Sequence, residues 1–90
     1  MNLFSPGLLI ATSGALAAAE ASGESLLEYI QRHLEGDWGD VDSEDTYSNL
    51  YALEHDLRLL SSYKLKNGQR IWIISEADRS STCILLPEEY

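Results

Sequence analysis

Between His33 and Asp45 the chain reads HLEGDWGDVDSED, six carboxylates around one tryptophan with no lysine or arginine among them. Carboxylates at this density can hold a hard cation, meet a basic partner or cap a helix. Asp40, Asp42 and Glu44 stand at positions one, three and five of a calcium loop. The sixth position, where the turn needs glycine, is Asp45, and the twelfth, where a bidentate glutamate should close the shell, is Tyr51. No specific metal site and no cofactor are expected. The docking reading takes Asp37, Trp38, Asp40, Asp42, Glu44 and Asp45 as a surface for a protein partner rich in basic residues, with Trp38 as anchor or rim. The capping reading takes Asp42 or Ser43 as the side chain that receives the free amides of a helix, with Glu44 and Asp45 favouring the positive end of its dipole. Trp38, between Gly36 and Gly39, needs either a core socket or a partner.

Other reactive side chains are sparse. The lone Cys83, in the apolar run Cys-Ile-Leu-Leu, excludes an intramolecular disulfide and reads as a buried inert thiol in a reducing compartment, the cytoplasm. His33 closes an amphipathic segment, where imidazole more often meets helix carbonyls than performs acid–base work. Helices carrying a histidine, followed by a sheet carrying Tyr63, Arg79, Ser81 and Thr82, loosely resemble the layout of small RNases of the barnase, colicin and RelE kind. Such enzymes use these groups to move a proton and stabilise charge on phosphate. The competing reading of Arg79 is an ion pair with Asp78 or Glu76 in a tight turn.

The charge is local. Residues 35–56 carry eight acids and no lysine or arginine, whereas residues 57–90 carry five bases against four acids, within a chain of net charge −9. The sparse set Arg58, Lys64, Lys66 and Arg70 is a poor footprint for phosphates, so direct nucleic-acid binding is not expected. Leu8 to Ala21 lacks a preceding positive residue, is interrupted by Ser and Gly and ends on Glu20, and so reads as core rather than as a leader or a membrane span.

Ninety residues with 44% apolar content fit one domain. Leu8 to Ala11 suits a short strand, and Thr12 or Ser13 can cap a helix through Ala15 to Ala21. Ser25 with Glu28 forms a capping-box pattern before Leu26, Leu27, Ile30 and Leu34, with Gly36 as a stop. A third helix from Asp42 or Ser43 has Tyr47, Leu50, Tyr51 and Leu53 as its apolar stripe. From Leu57 the period becomes two, and Asn67-Gly68 signals a hairpin into Arg70 to Ser75. A two-residue loop would pair Tyr63 with Trp72, whereas a three-residue loop pairs Tyr63 with Ile71 and Ser62 with Trp72; the second is favoured because it puts Leu59, Ser61, Tyr63 and Leu65 on one face with Ile71, Ile73 and Ser75. A last strand, Thr82 to Leu86, ends at Pro87. The expected fold is α+β: two or three helices on a three- or four-stranded antiparallel sheet with a C-terminal meander.

The runs GDWGDVDSED, LLSSY and RIWIISEADRSSTCILLPEEY resemble a family of small, mostly uncharacterised bacterial proteins of plasmids and other mobile elements. That resemblance implies a mobile-element setting and no catalytic residues. With the acidic segment, it leads to an expectation of a small acidic protein-binding module, monomeric or homodimeric. Such a module would inhibit or mimic DNA toward a host defence system of the CRISPR or restriction type, with an RNase-like enzyme as the alternative.

Overall fold

The computed structural model describes residues 1–90. Along the chain it runs β1 (Leu8–Ala11), α1 (Ser13–Ser22), α2 (Leu26–Leu34), α3 (Ser43–His55), β2 (Leu59–Lys64), β3 (Arg70–Ser75) and β4 (Ser81–Leu85), then a 3-10 turn at Pro87–Glu89. Each helix begins on the side chain that its sequence offers. The Thr12 hydroxyl accepts the Ala15 N–H at 3.0 Å, the Ser25 hydroxyl accepts the Leu27 N–H at 3.2 Å, and the Asp42 carboxylate accepts the Asp45 N–H at 2.8 Å.

The strands order as β1-β4-β3-β2. Tyr63 pairs with Ile71 and Ser62 with Trp72, the register that the three-residue loop predicts, and β3 lies between β2 and β4 in an antiparallel meander. The expectation of an antiparallel sheet needs correction at its fourth strand. β1 runs parallel to β4, with Leu9 beside Thr82 and Ala11 beside Ile84, so the sheet is mixed. Two hairpins make β4 run the same way as β2. The sense of β1 is therefore set only by how three helices carry the chain from one edge to the other, and no local residue pattern encodes that.

The main core lies between α1, α2 and one face of the sheet. Ala15 and Ala18 bring α1 close, and Ile30 and Leu34 of α2 meet Tyr63, Ile71, Ile73 and Ile84. Trp38, Ala52 and Leu59 form a second cluster, with Phe4, Val41 and Leu53 packed against it. Of the anticipated stripe of α3 only Leu53 turns inward. Tyr47, Leu50 and Tyr51 are 74%, 50% and 58% exposed, and the helix buries Asn49 and Ala52 instead.

This inversion has a cause in the sheet edge. The Asn49 side-chain amide donates to the Leu60 carbonyl at 2.7 Å and its oxygen accepts the Leu60 N–H at 3.1 Å, so one side chain stands in for a neighbouring strand. One step along, the Ser62 N–H donates to Trp38 O at 3.0 Å, and the Asp40 N–H donates to Ser62 O at 2.7 Å. Gly39 sits between them at φ 72°, and a Cβ there would lie 2.2 Å from Ser62 O. The outer edge of β2 is thus closed by a helix side chain and by the acidic segment's own backbone.

Asn49→Ala leaves two buried backbone groups of Leu60 without partners and is expected to cost about 2 kcal/mol in urea denaturation, with an unchanged m-value. A loss below about 0.5 kcal/mol would show that solvent closes this edge as well as Asn49 does.

Candidate functional site

The structure divides the acidic segment in two. Asp37 is held by Arg32, whose Nε donates to its carboxylate at 2.7 Å, and this bond lowers the pKa of Asp37 from its ordinary value. Asp40 faces Arg70 at 3.5 Å, and Glu35 meets the N-terminal ammonium at 3.2 Å. Trp38 is only 5% exposed, stacked 6.5 Å from Phe4 and 5.6 Å from the His33 ring. The expectation of Trp38 as an anchor for a partner is therefore corrected: its indole fills the core socket, and its backbone bridges to Ser62. Asp42 caps α3 while staying exposed, and Glu44 and Asp45 stand exposed in the first turn.

No lysine or arginine comes within ion-pair distance of Asp42, Glu44, Asp45, Glu54 or Asp56. These five acids bracket both ends of α3. Between them lies an open recess of about 730 Å³ whose lining includes Tyr47, Leu50, Tyr51, Leu57 and Arg58. The Arg58 guanidinium is drawn off to Glu76 at 3.2 Å. This surface was hidden from sequence reasoning by the period of α3, which fits a core stripe as well as an exposed one. Asn49, a polar residue in phase with Ala52, was the available signal that the opposite face turns inward.

Tyr63, Arg79 and Thr82 of the RNase-like layout are each committed to a backbone carbonyl of the fold. The Tyr63 hydroxyl donates to Asp37 O at 2.5 Å, and burial pushes its pKa up to about 12. Arg79 makes no ion pair with Asp78 or Glu76, contrary to the simplest reading of its turn. Its guanidinium donates instead to the carbonyls of Leu57, Glu76, Ala77 and Ala52 at 2.6 to 3.2 Å, fastening the end of α3 to the β3–β4 turn. Cys83 is half-buried on the outer face of the sheet rather than fully buried, and desolvation raises its thiol pKa, which disfavours the nucleophilic thiolate.

His33 is fully buried, not at a helix surface. Its Nδ1 lies 2.5 Å from Ser61 Oγ and its Nε2 lies 2.9 Å from Ser75 Oγ. Ser75 Oγ is 2.7 Å from Thr82 Oγ1, and Thr82 Oγ1 is 2.8 Å from Pro6 O. The carbonyl at the end of this chain can only accept, which fixes the protons as far as the ring: Thr82 donates to Pro6, Ser75 to Thr82, and His33 through Nε2–H to Ser75. The charge of the ring is set by its surroundings: burial, followed by the nearby Arg79 charge, pulls its pKa down from 6.5 to about 4, so at neutral pH Nδ1 carries no proton and accepts from Ser61.

No family model, curated protein or solved structure matches the chain. No helix is long and apolar enough to cross a membrane.

His33 gives stability a pH dependence of known sign. Its folded pKa lies below the unfolded one, so the contribution is complete above pH 6.5 and is lost as pH falls toward 4, by about 3 kcal/mol in all. Between pH 6.5 and 5, above most carboxylate titration, the wild type is expected to lose stability in chemical denaturation while His33→Phe shows a flat profile at lower overall stability. Parallel slopes for the two proteins would contradict a buried neutral imidazole.

Proposed function

We propose that this chain is a protein-binding module that presents α3 to a partner. The observation that carries the proposal is the pattern on that helix: Tyr47, Leu50 and Tyr51 stand in solvent between two groups of carboxylates that no lysine or arginine of the chain pairs with, Glu54 having only His55 beside it at 3.9 Å. Exposed tyrosines supply large contact area at low entropic cost and are enriched among residues that dominate binding energy. Carboxylates around them steer a basic partner and exclude acidic ones.

The partner chemistry that fits is a basic surface with an apolar hollow at its centre. Asp42, Glu44 and Asp45 form one acidic rim, and Glu54 and Asp56 form the other. Asp37 and Asp40, each beside an arginine, contribute to the field more than to contacts. A groove that ordinarily holds DNA phosphates has the required charge, so the partner class we propose is a DNA-handling protein of a host defence system, with this module acting as its inhibitor. The aromatic stripe separates this reading from simple charge mimicry, because phosphate competition alone does not need Tyr47 or Tyr51.

The test uses a partner recovered from the native host and then purified. Replacing Tyr47 and Tyr51 together by Ala is expected to weaken affinity by at least about thirtyfold, near 2 kcal/mol. Glu44→Gln with Asp45→Asn should slow association and flatten its salt dependence, since exposed charges act over about 8 Å at physiological ionic strength. Both variants should melt close to the wild type, whereas Asp42→Ala should lose about 1 kcal/mol of stability through its cap. Unchanged binding by the tyrosine and carboxylate variants would overturn the proposal.

A further inference from the structure

The two edges of the sheet are finished differently. The β2 edge is closed by Asn49 and by the Gly39 bridge, while β1, at the opposite edge, has no neighbour on its outer side. Leu8 and Thr12 send their N–H groups inward to Ser80 O and Ile84 O, each at 3.0 Å. The alternation of a strand then directs the N–H and C=O of Leu9 and Ala11 outward. Leu8–Ala11 contains no charge, no proline and no bulge, so that of the devices that keep an edge from pairing it has only its shortness, four residues. Its side chains are also bare, with Leu8, Leu9 and Ile10 66%, 45% and 43% exposed. A groove of about 440 Å³ runs beside the strand on its helical side, lined by Leu9, Leu16, Leu27 and Ile30 among others.

We propose that β1 pairs antiparallel with β1 of a second copy across a two-fold axis, joining two sheets into one of eight strands. A two-fold antiparallel pair makes the same short strand complementary to itself, because the outward groups of Leu9 and Ala11 on one copy face those of the other. Charge selects a second copy as the occupant. A chain of net charge −9 repels its own kind, but eight of its acids lie in residues 35–56, which pack against the β2 edge, at the far side of the sheet. The β1 edge is where two such chains approach with least repulsion, because the strand itself carries no charge and the acids near it are only Glu20 and Glu24 at the groove and Glu89, whose carboxylate accepts from the Thr12 hydroxyl.

Area requires the groove as well as the strand. A standard interface takes roughly 800 Å² from each partner, about 15% of the 5230 Å² surface of this chain, and four edge residues fall short of that. Leu16 and Leu27, 54% and 68% exposed beside the groove, extend the apolar strip, and Glu20 stands at its rim. The pairing leaves α3 free, so a dimer would present two copies of the face assigned to the partner. The inference does not depend on that assignment.

Sedimentation equilibrium on the full chain is expected to give the mass of two chains with concentration-dependent dissociation. Leu9→Pro removes only an N–H that has no intramolecular acceptor, and edge positions tolerate such a change. It should weaken the dimer by at least roughly tenfold with an unchanged far-ultraviolet circular dichroism spectrum. Leu27→Glu, outside the strand, gives a second reading if proline disturbs β1, and it should also shift the equilibrium to monomer. In a mixed dimer of labelled and unlabelled chains, isotope-filtered NMR should show contacts across β1. A wild type that sediments as one chain at NMR concentrations, or a dimer that survives both substitutions, would overturn the inference. So would a monomer that instead takes up an extended apolar peptide along β1.

Discussion

A single directed row of hydrogen bonds, from Ser61 through His33, Ser75 and Thr82 to Pro6 O, is the constraint on which the arrangement of elements depends. It touches β2, α2, β3, β4 and the segment leading into β1. Each hydroxyl has one proton, so from Pro6 O back to Nε2 the row is satisfied in one sense only, and every buried side-chain polar atom of the molecule finds a partner. A partly made network of this kind is worse than an apolar core, whereas a complete one selects a unique packing. Sliding β3 by one residue would move Ser75 to the outer face and break the row in two places. Phe4 and Trp38 flank the imidazole, and Arg79 lies over the Phe4 ring at 5.5 Å, so the N-terminal segment, the acidic segment and the β3–β4 turn close around the same group.

This commitment inward defines what is left outward. Tyr63, Arg79 and His33, the groups with the most evident chemistry in the sequence, each serve a carbonyl or a hydroxyl of the fold. What the fold leaves without internal partners lies on α3 and along β1. The two surfaces differ in kind: one is acidic and aromatic, and the other is an apolar strand beside a groove with Glu20 and Glu24 in its lining. They lie at opposite edges of one sheet, so occupation of either leaves the other accessible.

Much of the fold was legible because it is written in local patterns. Asn67-Gly68 and the alternation of Leu59, Ser61 and Tyr63 specify the hairpin and its register, and Thr12, Ser25 and Asp42 each cap the helix that follows. The parallel pairing of β1 was not legible, because its sense is decided by the path of three helices. The orientation of α3 was not legible, because Tyr47, Leu50 and Tyr51 have the period of a buried stripe, and of the expected set only Leu53 packs inward. Burial there is decided by Asn49, whose value lies in meeting the Leu60 backbone, a contact eleven residues away. Of the candidate site, the acidic character was plain in composition. Which acids are neutralised depends on Arg32 and Arg70 arriving from other elements, and the role of Trp38 depends on a socket built by Ala52 and Leu59. Serines at positions 61 and 75 looked like polar interruptions of apolar strands, and only the packed structure shows that both point at one imidazole.

The most direct measurement of this account is a long-range ¹⁵N–¹H spectrum of the histidine rings in the folded chain near neutral pH. The direction imposed by Pro6 O requires His33 to carry a proton on Nε2, burial keeps Nδ1 unprotonated and accepting from Ser61, and Thr82→Val should perturb that ring's shifts through Ser75. A His33 ring protonated on Nδ1, or carrying both protons at neutral pH, would contradict the account.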